Sequence, residues 1–253
     1  AFHQSLPPVA ACYALPRELS ERLELRRYGF HGTSYQYASQ RLLECLGRKA
    51  SGSKLIICHL GNGASVCALQ DGKSVDTSMG FTPLEGLIMG TRCGDIDAGL
   101  LLYLLRTQEI TPAQLDTLLN QQSGLKGLAG QGGDVRLLER AAADGDPQAE
   151  LALAAFAYRV RKYIGAYAAA LGGVDALAFT GGIGEHSAAM RTRICEGLAF
   201  LGITLNPVRN AAAQATETLL SPDNSPTPVW KIPTDEQRQL AREAFALLKG
   251  KTP

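Results

Sequence analysis

The chain has no surplus of charge. Its 25 basic and 24 acidic side chains leave a net charge of +1, which gives no field for nucleic acid or a membrane surface. No apolar run reaches the length of a spanning helix, and no signal-peptide pattern opens the sequence. The six cysteines (Cys12, Cys45, Cys58, Cys67, Cys93, Cys195) never fall at CxxC spacing, and none of the four histidines pairs with one at metal-ligand spacing. That argues against a zinc site, and free thiols in a reducing cytoplasm are the expected state. A G-x-x-x-x-G-K-[ST] run is missing, so P-loop chemistry is out. Neither glycine cluster completes G-x-G-x-x-G at the head of a βαβ unit, which leaves little support for a dinucleotide fold.

Hydrophobic residues make up 45% of the 253, enough for a sizeable core. The length exceeds one typical domain without demanding two. Two apolar, strand-like runs each end in glycine. Leu55 to His59 leads into Leu60-Gly-Asn-Gly-Ala-Ser65, and Ala176 to Thr180 leads into Gly181-Gly-Ile-Gly-Glu185. Such corners bare backbone N–H groups at the ends of buried strands, one way to hold phosphates and a nucleoside.

Proline-punctuated residues 5–28 surround a short helical stretch, Glu18 to Leu25. A helix follows Gly32, with Thr33 or Ser34 as cap and Tyr37, Leu42, Leu43 and Leu46 on one face. Three strands are predicted at Lys54–His59, Ala64–Gln70 and Lys73–Thr77, the last two joined by Asp71-Gly72, with Val66, Ala68 and Val75 alternating as in a half-buried meander. Gly80 to Gly99 reads as a loop, Leu100–Arg106 as a buried helix, and Gln121 to Gly133 as a glycine-rich surface loop. Thr111-Pro112, Asp134 and Asp146-Pro147 open helices. The last is the longest and stops at Gly172-Gly173, with Leu151, Phe156, Tyr163 and Tyr167 on its apolar side. Ser187 caps a helix from Ala188 to Leu198; Val229–Ile232 is a final strand; Thr234 begins a terminal helix. The alternation gives an α/β class, and the early meander makes the sheet mixed.

Each notable residue has a plain role and a sharper one. Gly61, Asn62 and Gly63 form either an ordinary turn or a phosphate cradle. Gly181 and Gly182 either supply positive φ or aim amides at an anion. Arg92, set among glycines, either pairs with Asp95 or Asp97 or stabilises a transferring phosphoryl group. Asp95 and Asp97 suit capping the next helix better than metal. His31 lies in a tight turn that can present its imidazole to a phosphoryl oxygen or a carboxylate, or it is structural; His59 has the same two readings. Glu236 either suits the first turn of a helix or binds magnesium, directly or through water.

Five segments together resemble the acetate and propionate kinase family: Arg27-Tyr-Gly-Phe-His-Gly-Thr-Ser34, His59-Leu-Gly-Asn-Gly-Ala-Ser65, Met89-Gly-Thr-Arg-Cys-Gly-Asp-Ile-Asp97, Phe179-Thr-Gly-Gly-Ile-Gly-Glu185 and Ile232-Pro-Thr-Asp-Glu236. They occur in the family's order and span nearly the whole chain. The resemblance implies a ribonuclease H-like, actin-like ATPase domain of the sugar kinase and Hsp70 superfamily, the second domain of a two-domain kinase. It implies magnesium-dependent phosphate transfer between ATP and a short-chain carboxylate, giving acyl phosphate and ADP. His31 and Arg92 would then contact the phosphoryl group. His59 and the turn Gly61-Asn62-Gly63 would hold nucleotide phosphates. Gly181, Gly182, Ile183 and Gly184, with Asp134, Val135 and Arg136, would hold the adenosine, and Glu236 would place the metal. Fixed positive charge from Arg92 and His31 suits such chemistry, because positioning and electrostatics dominate phosphoryl transfer. The alanine-rich helix after Pro147 is the implied homodimer contact.

Two departures stand out. Tyr35 occupies a place where the family usually shows histidine; a packing change without lost chemistry is expected. The family also has an aspartate and a threonine before the Ala1-Phe2-His3 that opens this sequence, and a preceding domain of about 100–150 residues on ordinary domain sizes. That aspartate serves catalysis and magnesium placement. Residues 1–235 are therefore expected to be a nucleotide-binding domain, with residues 1–4 the tail of a preceding one. Residues 236–253 are expected as a helix returning to that domain, with Leu240, Ala244 and Leu247 exposed. The expected behaviour of the isolated chain is nucleotide binding without turnover. Two other readings stay open: a stand-alone nucleotide-binding or regulatory module of the superfamily, and a butyrate-type acyl kinase, which the Met89-Gly-Thr-Arg92 and Phe-His-Gly motifs fit less well.

Overall fold

The structure, a computed structural model, describes residues 2–107, 110–212 and 216–248. Its strands are β1 (Lys54–Leu60), β2 (Ala64–Gln70), β3 (Lys73–Thr77), β4 (Ala176–Thr180), β5 (Thr218–Leu219) and β6 (Val229–Lys231). Its α-helices are α1 (Pro8–Ala11), α2 (Arg17–Arg22), α3 (Gly32–Leu46), α4 (Ala98–Thr107), α5 (Pro112–Thr117), α6 (Gly124–Ala129), α7 (Val135–Ala143), α8 (Pro147–Leu171), α9 (Gly181–His186), α10 (Ala188–Cys195), α11 (Pro207–Ala211) and α12 (Glu236–Leu248).

The strands form one mixed sheet in the order β3-β2-β1-β4-β6-β5. β1 runs parallel to β4, and β4 to β6; the β1-β2-β3 meander is antiparallel. Asp71 (φ 55°) and Gly72 (φ 74°) make the hairpin turn, the two positive φ values that its primed geometry requires. β5, which pairs with β6, is a strand the sequence pattern did not reveal.

The predicted meander is half buried, but β2 is buried on both faces. The reason is a helix layer on each side of the sheet. Leu55 and Ile57 pack with Ala38 and Leu42 of α3, whereas Ile56, Cys58 and Leu60 pack with Phe156, Val160 and Ile164 of α8. α8 starts at an Asp146 cap, whose carboxylate accepts from the Gln148 and Ala149 amides, and ends at Gly172 in the left-handed region (φ 64°). Its buried stripe includes Phe156 and Tyr167, but Leu151 is 54% exposed.

Other expectations change. No residue of α4 is buried, and Tyr103 is 56% exposed, because the described chain covers this apolar helix only in part, leaving Leu101, Leu104 and Leu105 half-buried. The glycine-rich 121–133 stretch is not a surface loop: it contains α6, with Gly124, Leu125 and Ala129 buried. α10 ends at Cys195, because Gly197 turns the chain at φ 81°. α12 starts at Glu236, with the Asp235 carboxylate accepting from the Arg238 amide. It lies against α3, with Leu240 and Ala244 exposed; Ala1, the side chain of Leu247 and residues 249–253 lie outside the described residues.

Candidate functional site

β1 and β4 are parallel neighbours, and His59 is in register with Thr180. Both glycine corners therefore leave the same edge of the sheet, the carboxyl ends of the strands, where open α/β sheets collect ligands. The corners touch: a Cβ on Gly181 would lie 2.8 Å from the Leu60 carbonyl oxygen. They open on a common cavity of about 360 Å³. Gly61 and Asn62 line it from the first corner, Gly182 and Ile183 from the second, and Val135 and Arg136 from the head of α7. Its volume is within the range of small-molecule sites.

Glu139, His186 and Ser187 complete the lining and were not singled out as site residues. Glu139 lies one helical turn beyond Val135 and Arg136, so the period of α7 was the signal for it. The Ser187 hydroxyl donates to Glu139 Oε1 at 2.5 Å and accepts from the Met190 amide at 2.9 Å.

Three residues assigned to the adenosine lie outside the lining. Asp134 caps α7 by accepting from the Arg136 amide, and its carboxylate pairs with the Arg136 guanidinium at 2.6 Å, which holds the carboxyl below its usual range. Gly184 packs against Phe179. Gly181 is buried, and its amide is not bare: it donates to Glu185 Oε1 at 3.0 Å. That same oxygen accepts from the Thr234 amide at 3.0 Å, so Glu185 ties this corner to the segment before Glu236. Arg191, almost fully buried, supports the corner from below by donating to the carbonyls of Gly184 and Glu185.

His31 and His59 meet on the opposite face of the sheet. Strand alternation puts His59 on the α3 side with Leu55 and Ile57, and its cross-strand partner is Ser65. His31 stands at the head of α3 with φ 60° and no side-chain cap. Neither Thr33 nor Ser34 takes the expected cap position. Ser34 instead reaches His59 Nδ1 at 2.8 Å and Thr234 Oγ1 at 3.2 Å. The two imidazoles stack with centroids 4.1 Å apart. His31 Nδ1 lies 2.8 Å from Ser65 Oγ, which lies 2.5 Å from the Tyr35 hydroxyl.

Burial, then the nearby His59, Arg92 and His3, pushes His31 down to about 3; burial alone pushes His59 down to about 4. Both rings are neutral at neutral pH. The expected positive field therefore comes from Arg92, and His31 contributes a neutral ring. Burial lowers the Arg92 pKa, but a guanidinium keeps its charge.

Arg92 pairs with neither Asp95 nor Asp97. Its Nη1 donates to the Pro83 carbonyl at 2.6 Å. Asp95 binds the Gly86 amide and the Tyr163 hydroxyl, and Asp97 accepts from the Gly99 amide at the start of α4. A Cβ on Gly63 would lie 2.8 Å from Arg92 Nη2 and 3.5 Å from His31 Nε2, so these three residues converge. The Arg92 loop is seated on the first corner through the Gly90 amide and the Asn62 carbonyl, 3.1 Å. α6 buttresses it, with the Leu125 and Lys126 amides donating to the Met89 and Gly90 carbonyls. Gly124 (φ 64°) permits that approach, since a Cβ there would press on the Met89 and Arg92 carbonyls.

Glu236 is exposed at the first position of α12. Among the described residues, no group of three or more His, Cys, Asp or Glu side chains is arranged to hold a metal ion. A single carboxylate suits a magnesium ion whose other ligands are water and phosphate, and it does not suit a cation cage made of protein.

The family model described as the acetokinase family matches residues 1–242. The acetate kinase of Bacteroides fragilis is 52% identical over 248 residues, covering 98% of this chain and 62% of the relative. The acetate kinase of Dictyoglomus turgidum is 51% identical over 251 residues, covering 99% and 62%. Among solved structures, Porphyromonas gingivalis acetate kinase superposes with a TM-score of 0.95 at 41% identity, over 98% of this chain and 62% of that one. A propionate kinase from Francisella tularensis superposes with a TM-score of 0.89 at 40% identity, over 96% and 61%. The chain thus spans about 62% of the length of these curated relatives.

Proposed function

The chain belongs to the acetokinase family, and from that premise we propose that it carries the nucleotide site of a phosphotransferase. The reaction moves phosphate between ATP and a short-chain carboxylate, acetate or propionate, giving acyl phosphate and ADP. The adenosine lies in the cavity against Val135, Arg136, Gly182 and Ile183. The phosphates cross Gly61, Asn62 and Gly63 towards Arg92 and His31. Arg92 stabilises the charge spread over the transferring group, and His31 donates a neutral N–H to it. The carboxylate oxygen attacks phosphorus directly, so the cysteines have no part. Glu236 helps place magnesium, which supplies charge neutralisation when bound.

One observation carries this reading: two glycine corners on neighbouring parallel strands open on one cavity. Titration of the chain with ADP tests it. Saturable binding is expected, weakened roughly 3–10-fold by Asn62→Ala, the scale of one lost hydrogen bond. Equal affinity in both proteins would move the nucleotide elsewhere.

The same reading places the protein in the cytoplasm as a homodimer. No helix among the described residues is long and apolar enough to cross a membrane. Leu151 and Tyr158 on the outward side of α8 are 54% and 59% exposed, which suits a contact with a second copy. Sedimentation of the wild-type chain and a Tyr158→Asp variant tests the dimer.

A further inference from the structure

Tyr35 lies in the first turn of α3 and has no solvent exposure. Its hydroxyl, Ser65 Oγ and His31 Nδ1 form a line with separations of 2.5 Å and 2.8 Å. The direction of each bond follows from the protons available. Burial holds the phenol protonated, and a buried hydroxyl proton needs an acceptor. Ser65 Oγ is the acceptor in reach. Ser65 has one proton of its own. Its hydrogen-bond partners are Tyr35 and His31 Nδ1, so once it accepts from Tyr35 its proton has Nδ1 as acceptor. A neutral imidazole that accepts at Nδ1 carries its proton on Nε2. Nε2 is the nitrogen turned towards Gly63, beside Arg92.

We propose that Tyr35 is a positioning residue for His31: acting through Ser65, it holds the ring in the Nε2–H tautomer and aims a neutral donor into the space beside Arg92. That this donor meets a phosphoryl oxygen rests on the phosphotransferase reading; the tautomer itself does not. The substitution at this position is therefore more than a change of packing. Without the Tyr35 hydroxyl nothing donates to Ser65 Oγ, so an Nδ1–H can do so in its place and the preference for the Nε2–H tautomer weakens. Tyr35→Phe keeps the edge-on ring contacts with His3 and His59 and removes the hydroxyl alone.

The test is ring-nitrogen NMR of the histidine-labelled 253-residue chain near neutral pH, with His31 assigned by comparison with His31→Gln. In the wild type, Nδ1 of His31 is expected as a pyridine-type nitrogen and Nε2 as a pyrrole-type one. In Tyr35→Phe, the two signals should move towards each other while those of His3, His59 and His186 hold. Ser65→Ala should release His31 in the same way. A wild-type ring protonated on Nδ1 overturns the proposal, as does a Tyr35→Phe spectrum unchanged at His31. The wild-type measurement needs one variant, His31→Gln, for assignment alone, and none of the spectra needs nucleotide. A failed ADP titration would thus sink the functional reading and leave the tautomer result standing.

Discussion

At the first glycine corner, side chains converge on a turn that the Gly61 amide closes onto the Gly63 carbonyl. Gly63 faces Arg92 and His31, and the Gly90 amide donates to the Asn62 carbonyl. At the second corner, backbone meets backbone: Gly181 abuts Leu60, its amide is taken by Glu185, and Arg191 holds the carbonyls that follow. One glycine signal thus has two meanings. At Gly63 the missing Cβ leaves room for the Arg92 and His31 side chains. At Gly181 it lets two strand ends meet, and positive φ (78°) is required as well.

The sharpest way to break this contrast is to put the same methyl group at both corners. Gly181→Ala should cost roughly 2–5 kcal/mol, from left-handed strain plus collision with backbone that cannot give way. Urea unfolding reads it, and a loss below 1 kcal/mol would contradict the close approach. Glu185→Ala comes next, with about 1–3 kcal/mol from two backbone amides left without an acceptor. It should also weaken ADP binding, since Gly182 and Ile183 lose their anchor; unaltered stability would mean that water replaces the carboxylate freely.

Acid should act through the first corner. His31 and His59 are held near 3 and 4, below the ordinary 6.5, so the unfolded chain binds protons that the folded chain refuses. Their contribution to stability is complete above 6.5 and declines as pH falls from there towards 4 and then 3. The urea midpoint should therefore drop between pH 7 and pH 5, and the drop should shrink in His59→Gln. An equal drop in the variant would assign the acid sensitivity to other groups.

The smallest stability change is expected from Gly63→Ala, within about 1 kcal/mol, because the new methyl collides with the movable end of Arg92 alone and meets His31 Nε2 at an ordinary 3.5 Å contact. Its effect should appear in function, as weaker ADP binding once the guanidinium is displaced. If Gly63→Ala destabilised as much as Gly181→Ala, the two corners would not differ in the way described.

Much of the architecture could be read directly, because its signals are local. The Asp71-Gly72 hairpin, the Asp146-Pro147 start and the Gly172 stop were all placed correctly from neighbouring residues. The 121–133 stretch was misread because glycine marks a flexible loop and a close approach alike; α6 needs Gly124 for the latter. The run at 100–106 was misread because periodicity says that a helix has an apolar side and does not say what covers it. Within the site, both corners, Arg92 and His31 were visible as motifs. Glu139, Ser187 and Arg191 were not, since each acts on a partner outside its own motif or through a backbone atom; Glu185 closed a motif, but its bonds to the Gly181 and Thr234 amides were not legible there.

The amino-acid sequence by itself determined the α/β alternation, the positions of the glycine corners and membership of a family. Those depend on residue types at fixed short spacings. Only the tertiary structure decided that the Gly181 amide is occupied, that His31 is neutral and that Ser34 serves His59 and Thr234. Each of these is a question of burial and of which partner lies within hydrogen-bond reach. Ser34 and Thr234, 200 residues apart, are brought together only once the sheet has closed between its helix layers.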